Sequence, residues 1–247
     1  MSSVQWLFAI WKGNKVLNTH NQDIVKMPYK FSSSSLSLLK ECSRCFWLHF
    51  NKNVKRPDSI FPSLPSGMDR ILKIHFDVFR DKGSLPPELK SLKGKYTLFD
   101  DIKLLDVWRN NFKGIQWVDS DGNIFKGAVD NLLWKSKKLV VLDYKTRGFP
   151  LKDDTADHYQ DQMNIYNFLL RKNGFKTSNY AYLLFYHPNK VDSDGDVLFN
   201  TDLVKMKVNV KDAEKLFAKA LKVLSEEIPD SSEECGFCEW NENLNSV

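Results

Sequence analysis

Apolar positions along the chain change period several times, and each change predicts an element. Gln5 to Trp11 reads as a strand, and Lys12-Gly13-Asn14 as a turn into a short second strand ending near Leu17. The run Ser32-Ser33-Ser34-Ser35 offers N-cap oxygens to LSLLKECSRCFWLHF, whose apolar residues recur at helical spacing. Pro57, Pro62 and Pro65 mark an exposed connection. A second helix is predicted from Ser66 to Arg80. Its stripe is Met68, Ile71, Leu72, His75, Phe76 and Phe79, with Asp69, Lys73, Asp77 and Arg80 largely outside it, and Lys82-Gly83 ends it. Glu88 to Phe112 is too mixed to define an element. GIQWVDS and IFKGAVDNLLW then read as strands about an Asp121-Gly122 turn, and Lys135 to Lys138 turns the chain into a third strand, KLVVLDYKT. A long helix between about Asp153 and Lys172 stops at Asn173-Gly174. Strands follow at Tyr180 to Tyr186 and from Val197 to Val208, then an amphipathic helix from Asp212 to Glu227 and a cysteine-containing tail.

Helices, a meander of strands, a helix, further strands and a last helix describe a mixed α+β fold, not a doubly wound one. We expect one domain over residues 1–247, with an approximate core at 66–208 and flanking segments at 32–50 and 210–240. No apolar run approaches the roughly 20 residues that span a bilayer, and MSSVQWLFAIWKGNK lacks the pattern of a secretory leader. A cytoplasmic protein with no membrane partner is the expectation. The formal charge of +5 is compatible with a phosphate-bearing ligand but does not require one.

Candidate chemistry begins at the Lys135 to Lys138 turn. If Trp134 pairs with Leu139 and Leu133 with Val140, stepping back along the hairpin sets Asp130 opposite Asp143. Alternation puts Lys145 on the same face. Two adjacent carboxylates repel, and a divalent cation resolves the conflict: Asp130, Asp143 and the backbone carbonyl of Tyr144 offer hard oxygens to Mg²⁺ or Mn²⁺. Such an ion polarises a phosphate and activates water, while Lys145 orients or deprotonates that water and offsets charge on the phosphoryl oxygens. The plainer alternative is a solvent-facing acidic pair neutralised by Lys145.

Gly127-Ala128-Val129-Asp130 followed by Asp143-Tyr144-Lys145-Thr146, with Gln162 and Tyr166 four residues apart on the next helix, resembles the motif series of the RecB-like, Cas4-like branch of the PD-(D/E)XK nuclease superfamily. Cys42-Ser43-Arg44-Cys45-Phe46-Trp47-Leu48 is similar to the cysteine-containing helix that precedes such cores. The resemblance spans residues 32 to 240. It implies a restriction-endonuclease-like core, a central mixed sheet flanked by helices, and metal-dependent hydrolysis of DNA in repair, recombination or processing. It also implies a further ligand from the early helix, for which Asp69 and His75 rank above Asp77. Gln162 and Tyr166 would contact a phosphate or brace Lys145.

All four cysteines fall in two C-x-x-C pairs, Cys42 with Cys45 and Cys235 with Cys238, a pattern that suits structural Zn²⁺ or an iron-sulfur cluster. Relatives with a [4Fe-4S] cluster divide their cysteines one and three, whereas here the division is two and two. Arg147, Lys126 and Lys152 are candidate backbone contacts for DNA, as are Lys135, Lys137 and Lys138, with Trp108, Arg109 and Trp117 as guides for a single strand. The chain has no helicase-type phosphate-binding glycine loop, so unwinding falls to a helicase or recombination partner. Two rival readings remain: an inactive nucleic-acid-binding module and a metal-stapled protein-interaction domain.

Overall fold

The computed structural model describes Trp11–Lys12, Lys15–Leu17 and residues 24–246, with side chains from residue 27 onward. In chain order the strands are β1 (Trp11–Lys12), β2 (Lys15–Leu17), β3 (Ile24–Lys26), β4 (Lys30–Phe31), β5 (Thr97–Leu98), β6 (Ile115–Val118), β7 (Ile124–Gly127), β8 (Asn131–Lys135), β9 (Lys138–Thr146), β10 (Tyr180–Val191) and β11 (Val197–Lys207). The helices are α1 (Ser33–Glu41), α2 (Ser43–Lys52), α3 (Ser63–Asp81), α4 (Ile102–Arg109), α5 (Gln160–Lys172), α6 (Val210–Ser225) and α7 (Gly236–Asn245). The class is mixed α+β, as expected. The predicted strand at Gln5 to Trp11 lies outside the described residues up to Trp11. Among the described residues, no helix is long and apolar enough to cross a membrane.

Two compact units divide the chain: Met1–Asp58, Val118–Phe125 and Leu216–Val247 form one, and Ser59–Trp117 with Lys126–Lys215 the other. The second holds a mixed sheet in the order β11-β10-β9-β8-β5. Its centre, β9, is buried over six consecutive residues from Leu139 to Tyr144, which is why the sequence there is a nearly continuous apolar run. Val140, Leu142 and Tyr144 join Leu72 and Phe76 of α3, and Tyr182 and Leu184 of β10, in one core. The rings of Phe76 and Tyr144 lie 4.7 Å apart. Leu139, Val141, Asp143 and Lys145 take the opposite face by alternation.

In the first unit β4 pairs in parallel with β7, Lys30 to Ile124 and Phe31 to Phe125. Phe31 packs against Phe46, Phe50 and Phe217 with ring centroids 5.9, 5.1 and 5.6 Å away. Ser32 caps α1 in a reciprocal pair with Ser35.

Several boundaries differ from the sequence pattern for identifiable reasons. LSLLKECSRCFWLHF forms two helices, because Cys42 is extended at φ −159° between α1 and α2. The start of α3 is Ser63, not Ser66, with Pro65 in the first turn, where a missing N–H breaks no helical bond. IFKGAVDNLLW is not one strand: β7 and β8 lie in different sheets. Between them the Val129 N–H bonds to the Trp108 carbonyl and the Asp130 carbonyl accepts from Arg109, so the linker's backbone groups are satisfied by α4 instead of a neighbouring strand. Turns and a short 3-10 segment, Asp157–Tyr159, occupy the polar stretch before Gln160, so α5 is shorter than predicted. The cysteine-containing tail carries a helix, α7, that its pattern did not announce.

Gly127 lies tight against α5: a β-carbon there would stand 2.8 Å from the Tyr166 ring and 3.0 Å from Leu169. Gly127→Ala is therefore expected to destabilise the protein by about 1–3 kcal/mol. Gly67→Ala, in open space within α3, should instead stabilise it by roughly 0.5–1 kcal/mol. Urea unfolding of both variants checks the opposite signs.

Candidate active site

The β8–β9 hairpin turns through Ser136 and Lys137, both at positive φ (49° and 61°), a tight connection whose twist matches the strands. Its register runs from Lys135↔Lys138 through Trp134↔Leu139 and Leu133↔Val140 to Asn131↔Leu142. One further step places Asp130 opposite Asp143, as the sequence pattern predicts. Asp130 has left the strand, and its carboxylate accepts the Tyr144 N–H at 2.9 Å. Asp143 is 1% exposed and pairs with the Lys145 ammonium, which lies over the Tyr159 ring at 4.7 Å.

Helix α3 contributes to the same cluster. Lys73 Nζ is 2.7 Å from Asp69 and 3.4 Å from Asp130, so it links the helix to the acidic pair. Position four after Asp69 on a helix gives Lys73 this shared face. Of the early-helix candidates, Asp69 is therefore brought to the site. His75 is not: six residues further on, it bonds to Glu88 at 3.1 Å and packs against Phe76 and Phe79. Asp77 is also committed elsewhere, held by Arg109 at 2.7 and 3.0 Å.

Arg109 corrects an expectation. Instead of guiding a nucleic-acid strand, its buried guanidinium clamps Asp77 and donates through Nε to the Asp130 carbonyl at 2.8 Å. Arg80 adds a second brace, bonding to Asn131 at 2.8 Å, while Asn131 donates to the Tyr144 hydroxyl at 2.6 Å. The roles of Arg80, Arg109, Asn131 and Lys73 escaped the sequence reading. The only local hint was the series Asp69, Lys73, Asp77, Arg80 along one helix. Trp108 is likewise buried, stacked on Phe99, and Trp117 packs edge-on to Phe168 beneath Lys172. Neither offers a free face to a strand.

Burial pushes the Asp143 carboxyl up to about 7, with the Lys145 charge opposing that rise and Asp130 adding to it. Asp69 is raised by burial and by Asp130, against the pull of Lys73. Three carboxylates thus share the site with two ammonium groups, a surplus of acid in a place that disfavours it. Hard oxygen donors with this surplus of charge suit a divalent cation. On α5 the Gln162 amide donates to the Tyr166 hydroxyl at 2.8 Å. Burial first, then Asp143 and Asp130, keep that phenol neutral, and its own hydrogen is left for another acceptor. Among the basic candidates, Lys126 reaches the Asn111 carbonyl at 2.9 Å. Lys152 stands at a turn where its N–H bonds to Thr155. The buried Nε of Arg147 has no hydrogen-bond partner among the described residues.

The four cysteines gather in the first unit with all Sγ atoms within 4.8 Å of one another. The extended Cys42 and the first-turn Cys45 on one side meet Cys235, the N-cap of α7, and Cys238 on the other. Arg56 donates to the Cys235 sulfur at 3.4 Å and is anchored by Glu41 at 2.6 Å. Such a set is able to hold a metal.

The family model described as the PD-(D/E)XK nuclease superfamily matches residues 30–242. No curated protein matches the sequence.

Because the folded protein holds a proton on Asp143 more tightly than the unfolded chain does, metal-free stability should fall as pH rises from about 4 to about 7. In that window the single site contributes a slope of up to about 1.4 kcal/mol per pH unit. Urea titrations in chelator at several pH values should show this component in the wild type and its loss in Asp143→Asn.

Proposed function

From its membership of the PD-(D/E)XK nuclease superfamily, we propose that the chain is a Mg²⁺- or Mn²⁺-dependent deoxyribonuclease whose catalytic groups are Asp130, Asp143 and Lys145. The observation that carries this reading is a buried carboxylate, Asp143, paired with Lys145 and standing across the hairpin from Asp130. Asp130 and Asp143 would hold the ion, with Asp69 as the early-helix ligand and the Tyr144 carbonyl as a further oxygen. When bound, a divalent cation supplies Lewis acidity to the scissile phosphate and to water.

The remaining steps belong to side chains. Asp143 and Asp130 outweigh burial and keep Lys145 protonated, so its role is to donate to a phosphoryl oxygen and offset charge there, in place of removing a proton. Gln162 fixes the Tyr166 hydroxyl, and the pair presents a neutral donor to the phosphate or to the acidic cluster. Arg109 and Arg80 act as positioning residues, holding the backbone at Asp130 and Asn131. Arg147, with an unpartnered Nε just beyond β9, is the best supported of the proposed backbone contacts. Single-stranded DNA in repair or recombination, delivered by a separate unwinding protein, is the proposed setting.

For the cysteines we propose one Zn²⁺. Zinc bonds thiolate at about 2.3 Å, so a tetrahedral site sets its sulfurs about 3.8 Å apart. Three of the six sulfur–sulfur separations are 3.6, 3.6 and 3.9 Å, and all six are within 4.8 Å. A four-iron cluster puts a separate iron under each thiolate and spreads them further.

Incubating end-labelled linear, circular and single-stranded DNA with Mg²⁺ or Mn²⁺ tests the nuclease reading. Wild type should cleave, Lys145→Ala should lose roughly a hundredfold or more in rate, Asp69→Asn should lose activity, and His75→Ala should retain it. Equal cleavage by wild type and Lys145→Ala removes the role given to the lysine. DNA binding without cleavage by either favours an inactive binding module. Elemental analysis should find one zinc per chain in a colourless protein; a brown, iron-containing protein contradicts the zinc assignment.

A further inference from the structure

A cavity of about 710 Å³ opens in the second unit where α3 ends and the β8–β9 hairpin turns. That is the size of site that takes a nucleotide-sized ligand. Lys90, Lys93, Lys95 and Lys135 line it with the aromatic rings of Tyr96 and Trp134, and no acidic side chain does. Lys90, Lys93 and Lys95 are exposed and form no ion pair among the described residues. Lys135 is held at 3.2 Å by the Tyr96 hydroxyl, over whose ring it lies, so its charge also remains unneutralised.

The cavity is separate from the acidic cluster. Along β9, Lys138 is five residues from Asp143, roughly 17 Å. Along α3, Phe79, which also lines the cavity, is ten residues past Asp69, roughly 15 Å of helix rise. At about 3.4 Å per stacked nucleotide, that separation is about five nucleotides.

Building on the nuclease reading, we propose that this cavity is a second binding site for single-stranded nucleic acid, holding a part of the substrate strand about five nucleotides from the bond cleaved. Three unpaired lysines suit its phosphates, and the half-buried Trp134 ring suits an unstacked base. A duplex, with its bases stacked inside, has none to insert.

The test is fluorescence anisotropy on the full chain, in Ca²⁺, with oligodeoxyadenylates of about five and about twenty nucleotides and their integrity checked on gels. Compared with wild type, Lys90→Ala/Lys93→Ala/Lys95→Ala should bind the long strand about tenfold or more weakly, and its log–log salt slope should fall by about 2. Binding of the short strand should change less than about twofold. A charge-matched control on exposed α6 positions, Lys211→Ala/Lys215→Ala/Lys219→Ala, should behave as wild type. Unchanged long-strand binding, an equal loss for the short strand or the control, or a wild type that binds neither strand overturns the proposal. A wild type that shows the expected length dependence but cleaves neither strand in Mg²⁺ or Mn²⁺ leaves the cavity assignment standing and sinks the hydrolytic reading alone.

Discussion

Asp143 is withdrawn from water at the centre of a sheet, where an unpaired carboxylate costs on the order of several kcal/mol. The surrounding arrangement follows from that constraint. Alternation along β9 returns Lys145 to the same face two residues later. The two-residue turn at Ser136-Lys137 fixes a register that brings Asp130 across, and Lys73 of α3 reaches the second carboxylate. Arg109 and Arg80 hold the chain at Asp130 and Asn131, just where it passes from one sheet to another. The site is acidic and partly withdrawn from water, conditions in which a bound cation and a held ammonium would act more strongly on a phosphate than in bulk solvent.

The most legible part of this arrangement was the hairpin. Side-chain direction in a strand repeats every two residues and the turn is short, so pairing Trp134 with Leu139 determines everything back to Asp130. The early helix was less legible. His75 lay on its apolar stripe and Asp69 off it, and only the packing of α3 against the sheet reveals that the polar side meets the acidic pair. IFKGAVDNLLW gave no warning of its break, because its mix of strand-forming residues fits one long strand as well as two joined by a short linker. Arg109 resembled a surface cation; its partners, Asp77 and the Asp130 carbonyl, come from 32 and 21 residues away in sequence. The paired cysteines were visible as a metal-binding pattern, but the helical break at Cys42 that brings its sulfur to the others was not.

Two kinds of donor set are kept apart by chemistry within one chain. Carboxylate oxygens serve hard, exchangeable cations, and thiolates serve softer, tightly held ones. A metal held by the cysteine set would tie α1 and α2 to α7 across about 190 residues of sequence, a restraint on the unfolded chain like that of a crosslink. The carboxylate set has lysine partners of its own, Lys145 for Asp143 and Lys73 for Asp69, which offset its charge without an ion.

Anomalous diffraction from crystals soaked in Mn²⁺ tests the acidic cluster most directly. The expected result is an anomalous peak bonded to carboxylate oxygens of Asp130 and Asp143, lost in Asp143→Asn crystals. No peak there, or manganese bound only elsewhere, such as at His75 and Glu88, would contradict the assignment of Asp130, Asp143 and Lys145 as a metal-dependent centre.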